Sequence, residues 1–304
     1  MARHWTDKYS YVTGVVRLPD LAYVALVEDK LSKERIPHSF FSEWDAGSWR
    51  GDGIAKKWDT VSMCICQVPV EQGLALGPKG EIFCVGSGDI HEETVATGSQ
   101  SPENRGPLRA IRSIGGRAFV VGMDRQAYRR DGRSTWVAID QGARPDSKNS
   151  KTVGFESVDG FGANDIYAVG WDGAIWHYNG TTWTEIASPT NLVLTNVCCA
   201  GDGKVYATGR RGLLLCGQGP VWEVVEHESM DDDIWGLAWY RGCLYLATNR
   251  SVFVLSRDRR LTRVYFGSDP PRTCFHLSTG AGVLWSIGPK DVMSFDGFVW
   301  SRID

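Results

Sequence analysis

Residues 154 to 186, GFESVDGFGANDIYAVGWDGAIWHYNGTTWTEI, constrain the fold more tightly than any other stretch of the chain. Four short apolar-rich runs, Phe155 to Asp159, Ile166 to Val169, Ala174 to Tyr178 and Thr182 to Ile186, are separated by turn signals at 162–165, 170–173 and Asn179-Gly180. Asn-Gly and Asp-Gly pairs adopt the positive φ that tight hairpins need, so the spacing predicts a four-stranded antiparallel meander. A lone meander buries only one face and is unstable in water. It needs like neighbours.

The neighbours are present. DIYAVG (Asp165 to Gly170) is matched by EIFCVG (Glu81 to Gly86), RAFVVG (Arg117 to Gly122), KVYATG (Lys204 to Gly209), CLYLAT (Cys243 to Thr248) and VLWSIG (Val283 to Gly288), 36 to 48 residues apart and each preceded by a turn signal. Periods of that length mark propeller blades, and each match reads as the second strand of one. An outer strand recurs as TWVAI, TWTEI, VWEVV and VWSRI, with LTRVY (Leu261 to Tyr265) in the same slot without its Trp. Trp136, Trp183, Trp222 and Trp300 are therefore expected at equivalent places, packed between sheets. Upstream, Leu21 to Val27 reads as a second strand, Ile36 to Phe41 as a third, and Trp49 or Trp58 as the outer position, which brings the count to seven.

The expected fold class is thus all-β: one β-propeller domain over residues 1–304, with seven four-stranded blades near 9–60, 61–100, 107–140, 153–187, 192–226, 233–266 and 272–304. Six blades with an irregular N-terminal extension is the alternative. Ring closure stays open. His4-Trp5-Thr6-Asp7 imitates TWTE and could add beside the last blade, or the ring could close without a shared blade. Residues 28–35 (EDKLSKER) lack an apolar stripe and read as a charged excursion between strands. Insertions fall at Gly88 to Pro107, Ile139 to Val153 and Val225 to Asp233. Long loops on a rigid scaffold are where function tends to sit.

The motif ending D-I-Y-A-V-G-W-D-G-A-I-W-H-Y-N-G-T-T-W within residues 157–183 resembles the bacterial propeller repeat VWG…DVWAVG..GTI.HYDG..W, of the WD40/YVTN-like superfamily. The resemblance is close in the fourth repeat and fair in the three after it. It implies a propeller, in a superfamily that serves binding, enzymatic and scaffold roles alike. Neither the sialidase Asp-box nor the Gly-His and Trp-Asp dipeptides of eukaryotic WD40 blades is reproduced.

A net charge of −3 gives no field that would draw the chain to nucleic acid or an anionic membrane, and the basic pieces Arg129-Arg130, Arg210-Arg211 and Arg257-x-Arg259-Arg260 form no stripe. The segment MARHWTDKYSYV has no apolar core of a signal peptide, and no run approaches the roughly 18 apolar residues that span a bilayer. The expected location is the cytoplasm. Eight cysteines, Cys64, Cys66, Cys84, Cys198, Cys199, Cys216, Cys243 and Cys274, fall in strand patterns and read as reduced, buried small hydrophobes. A metal set from Cys64-x-Cys66 and Cys198-Cys199 lacks knuckle spacing, and adjacent strand residues face opposite ways. No metal or cofactor is expected.

The chain carries no H-E-x-x-H helix, no G-x-S-x-G elbow and no P-loop. His91-Glu92-Glu93 and Glu226-His227-Glu228 are the best acid–base candidates, yet both read first as solvated loop or edge segments. His177 reads as a sheet-face residue, and Asp231-Asp232-Asp233 lacks the Gly and distal Glu of a calcium loop.

With no catalytic signature, the expected function is a non-enzymatic protein-recognition module, narrowed to a bacterial immunity protein that neutralises a toxin. The alternative is a carbohydrate-binding or carbohydrate-active propeller with an axial pocket, where Trp171 and Trp235 would stack on sugar faces. Up-and-down connectivity puts the turns between second and third strands at the same end as the connections into the next blade. That end collects Asp124, Arg125, Trp171, Asp172, Arg210, Arg211, Arg250 and Lys290 from the first set and Asp231, Asp232 and Asp233 from the second. These are the expected partner-binding residues, since Arg and Trp are frequent hot spots.

Overall fold

In the computed structural model, which describes residues 5–50, 53–145 and 152–304, the central repeat is a meander of Phe155–Gly162, Asp165–Gly170, Ile175–Tyr178 and Trp183–Ile186. Its hairpins follow the turn chemistry. Asn179 Oδ1 accepts from the Thr181 and Thr182 N–H groups at 3.0 Å each, and Gly180 takes φ +93°.

Six further sheets repeat the plan, giving an all-β, seven-blade propeller. Blade 1 runs from the strand Tyr9–Leu18 through Leu21–Glu28 and Ser39–Asp45 to Ser48–Trp49, with Ile54–Lys56 added beside its third strand. Blade 2 is built from Ser62–Cys66, Gln72–Leu76, Glu81–Gly86 and Asp89–Thr94. Blades 3, 5, 6 and 7 begin at the inner strands Leu108–Ile114, Leu194–Cys199, Gly236–Tyr240 and His276–Gly280. Blades 2 to 5 lie in one compact unit, residues 61–233; blades 1, 6 and 7 lie in the other, residues 1–60 with 234–304. No helix among the described residues is long and apolar enough to cross a membrane.

The four tryptophans hold equivalent positions. Trp136, Trp183, Trp222 and Trp300 each pair across to the third strand of their own sheet, opposite Arg130, Tyr178, Gly217 and Phe295. In blade 1 the Trp44–Trp49 pair takes this place, and in blade 6 Leu261 opposite Leu255 does so without a Trp. Of the four, Trp183 is the most buried. Its indole N–H donates to the Ile139 carbonyl of the blade before it at 2.8 Å.

Among the described residues every sheet is built from one continuous stretch, and none is shared between the ends. Blade 1 packs on blade 7. The Val16 N–H donates to Ser278 Oγ (3.1 Å), the Trp49 indole to the Ile303 carbonyl (2.6 Å), and Tyr11, Val24, Trp285 and Ile287 share one apolar cluster. His4 lies outside the described residues, and Trp5–Asp7 is a single 3-10 turn.

Two expectations need correction. EIFCVG is the third strand of blade 2 and not the second; the second is Gln72–Leu76, and Asp89–Thr94 is the outer strand. Second and third strands are both apolar and bounded by Gly turns, so pattern alone does not separate them. The insertion therefore shrinks to 95–107, with the short helix Pro102–Arg105. Residues 28–35 contain a real helix, Asp29–Lys33, with no buried residue. It is held from outside: Asp29 accepts from Ser10 Oγ and Lys290 Nζ at 2.6 Å each. A helix tied by charge needs no apolar stripe.

All eight cysteines are free, six of them buried, although Cys274 lies just ahead of the inner strand of blade 7. Burial, with the Glu93 carboxylate nearby, pushes the Cys84 thiol up to about 12, and burial pushes Cys274 to about 11, so both stay protonated and inert at neutral pH. Thiol titration of the denatured, unreduced protein is expected to recover eight groups. Fewer would mean that disulfides form.

Candidate protein-binding end and a buried ion pair

Within residues 61–233 the turns between second and third strands are bonded to the connections that lead into inner strands. The Asp124 N–H donates to Val153 O (2.9 Å), Trp171 N–H to Gly154 O (3.1 Å) and Arg210 N–H to Val193 O (3.3 Å). Gly212 N–H donates to Asp232 O (2.9 Å), and Arg211 N–H to Asp233 Oδ1 (3.0 Å). Asp124, Arg125, Trp171, Asp172, Arg210, Arg211 and the Asp231 to Asp233 run therefore share one end of this unit. These turns are conformationally unusual. Asp124, Arg125, Asp172 and Arg211 all take positive φ, between +49° and +58°, which costs a non-glycine residue of the order of 1 kcal/mol. A side chain at Gly173 or Gly212 would strike the Thr190 or Met230 carbonyl of the connection beneath.

The side chains differ in availability. Arg210, Arg211, Asp172, Asp231 and Asp232 are exposed, and neither guanidinium of the Arg pair has a hydrogen bond or ion pair among the described residues. Asp124 is engaged: Arg105, at the end of the short helix, donates to its carboxylate at 2.7 Å and to Asp140 at 2.7 Å. The Trp171 indole N–H is fixed on Glu156 Oε1 (2.5 Å), which also lies 3.5 Å from Arg109. Sequence reasoning missed Arg105, Arg109 and Glu156, because their partners lie 15 to 47 residues away.

Arg250 and Lys290 belong to the other unit. Arg250 is exposed on a turn where Thr248 Oγ1 accepts its N–H at 3.3 Å. Lys290 is occupied in tying blade 7 to the N-terminal segment; its ammonium donates to Thr6 O (2.8 Å), Tyr9 O (2.8 Å) and Asp29 Oδ2 (2.6 Å). Trp235 stacks on Phe275 with ring centres 5.6 Å apart.

The acid–base candidates separate sharply. His227 Nε2 lies 2.8 Å from the Gly212 carbonyl while Glu226 and Glu228 are exposed, as a loop segment would have it. Glu93 is not solvated, and His91 beside it is half-buried. Glu93 is buried, and its two oxygens take Arg130 Nε (3.0 Å) and Nη2 (2.5 Å), with the Trp136 indole N–H (3.0 Å) and His91 Nε2 (3.0 Å) close by. Burial alone would raise this carboxyl, but hydrogen bonds from Arg130, the Ser134 backbone and His91 outweigh it and hold it down to about 2. Arg130, fully buried, stands where blades 4 and 7 place Tyr178 and Phe295.

Cys84, His91 and Glu93 offer ligand atoms within 4.8 Å of one another, a different set from the one the cysteine spacing suggested. Both Glu93 oxygens of this set are already engaged by the Arg130 guanidinium, the Trp136 indole and His91.

No family profile matches the chain. The chain is 49% identical, over 307 residues that span all of both proteins, to the immune protein Tsi7 of Pseudomonas aeruginosa. The chain belongs to the immune protein Tsi7 family. Solved structures show the fold more widely. The WD40 β-propeller domain of Doa1 superposes with a TM-score of 0.71 at 13% identity, covering 97% of this chain and 93% of that one. Streptogramin B lyase does so at 0.59 and 10% identity, covering 99% and 95%. These likenesses show the fold alone, and only the likeness to Tsi7 bears on role.

Proposed function

We propose that this protein is a non-enzymatic immunity protein that binds and neutralises a toxin protein, using the turn-and-connection end of residues 61–233. The full-length identity to immune protein Tsi7 carries the reading. The geometry supports it: exposed charges that have no side-chain partner among the described residues stand on or beside turns tied by backbone bonds, which suits a preformed recognition surface. The partner-binding residues are Asp172, Arg210, Arg211, Asp231 and Asp232 as direct contacts, with Arg125 and Trp171 set among them and Asp124 and Asp233 holding the turns. Arg250, exposed on its own turn within residues 1–60 and 234–304, is a separate candidate contact, and Lys290 supports the N-terminal segment. Free cysteines suit a reducing compartment, which favours the cytoplasm.

Co-expression with the product of the adjacent reading frame is expected to give a complex that co-elutes and removes that product's toxicity; two separate peaks with toxicity intact would sink the reading. Reversing Arg210 and Arg211 together to Glu is expected to weaken the complex by at least ~2 kcal/mol while leaving the melting temperature nearly unchanged, because exposed charges contribute little to folding. Calorimetric titration checks this, and unaltered affinity would move the interface elsewhere.

A further inference from the structure

Six arginines of residues 61–233 that are at least partly buried, Arg105, Arg109, Arg112, Arg117, Arg129 and Arg130, each have a carboxylate at 3.7 Å or less. Arg125 is the exception. It is half-buried at the binding end, its guanidinium carbon 4.6 Å from the centre of the Trp176 ring. Its one hydrogen bond among the described residues is long, Nη1 to the Ala143 carbonyl at 3.5 Å. Its Nε is shut off from solvent and has no partner among the described residues, and the same holds for the indole N–H of Trp176. Burial holds the guanidinium below the usual arginine range, and Glu185, Asp124 and Asp172 compensate only through space. Both Asp124 and Arg125 are strained, at φ +58° and +49°.

A half-buried cation held by a single long hydrogen bond among the described residues destabilises a fold, as does each buried donor left unmade. Such groups persist where an outside ligand completes them. An arginine guanidinium beside an aromatic ring can still form paired N–H bonds to a carboxylate through its terminal amino groups. We propose that Arg125, held on Trp176, is the anchor of the binding end and receives the carboxylate of an Asp or Glu side chain of the partner protein. This rests on the reading of residues 61–233 as a recognition surface and adds the chemistry of its centre.

The test uses the intact chain and the product of the adjacent reading frame. Arg125→Met is expected to weaken the complex at least 30-fold while the melting temperature of the free chain holds or rises by about 2 °C, since an unpaired cation leaves a half-buried site. Arg125→Lys keeps the charge but not the fork, and is expected to recover little of the affinity. Changing the partner's acidic residues singly to their amides should find one whose loss costs nothing further in the Arg125→Met background. A drop of several degrees in Arg125→Met would show that the side chain serves the fold, and unaltered affinity would show that it meets no partner; either overturns the proposal. If the Arg210–Arg211 reversal weakens the complex while Arg125→Met does not, the anchor is wrong and the surface stands. If the wild-type chain binds nothing, the surface falls and the anchor with it.

Discussion

Replacing Trp183 by alanine is expected to cost about 3 to 5 kcal/mol of stability, the range seen when a buried large aromatic is truncated. The ring is 3% exposed, with Phe155 and Tyr178 centred 5.4 and 5.2 Å away, so its removal opens a cavity between two blades. It also strands the Ile139 carbonyl that accepts the indole N–H. Trp183→Phe separates the two effects: it keeps most of the apolar area and loses the bond, and should cost about 1 to 2 kcal/mol. Denaturant melts give both numbers. A loss below about 1 kcal/mol for the alanine would mean that the blade junction closes over the gap.

Arg130→Ala is expected to cost a similar 3 to 5 kcal/mol for a different reason, the stranding of a buried carboxylate. Glu93 would keep His91 and Trp136 beside it but lose both guanidinium bonds. Arg130→Met together with Glu93→Gln should cost far less than either single change predicts, because no uncompensated charge remains. The pair also sets an acid limit. The Glu93 carboxyl titrates near 2 in the folded chain against an ordinary 4.5, so it contributes stability above about pH 4.5. That contribution is lost as pH falls from 4.5 toward 2. In Glu93→Gln the acid-unfolding curve should be shallower over that window; an unchanged curve would show that Glu93 is not ionised in the fold.

The comparison of these residues shows what a sequence can and cannot display. Trp183 was legible because its neighbours repeat it: the same pattern at 136, 222 and 300 could only be one structural position. Arg130 was not, since it occupies the aromatic position of other blades and looks, beside Arg129, like a scrap of surface charge. Its partner lies 37 residues away in a strand whose composition, DIHEET, suggests solvent. Turn residues such as Arg210 and Arg211 could be assigned to an end by connectivity alone. Whether a given turn charge is idle or engaged could not: Lys290 and Asp124 differ from Arg210 only in what the fold brings to them.

Contiguous blades have a price in time. The contacts that join blade 1 to blade 7 link residues more than 250 positions apart, Val16 with Ser278 and Trp49 with Ile303. During synthesis the first blade emerges long before the strand that will cover it, and the apolar side formed by Tyr11, Val24 and Leu26 waits through nearly the whole of translation. Sharing a strand between the ends would not shorten that wait, but it would add backbone pairing to the seam. Here no strand ladder crosses the seam among the described residues: it is held by side-chain packing and scattered bonds such as Tyr11 N–H to the Pro289 carbonyl at 2.9 Å, with Lys290 as its clasp. Completion of the circle is thus the slowest and most non-local step that this topology imposes, and the nascent chain is most exposed to misassembly just before its last forty or so residues appear.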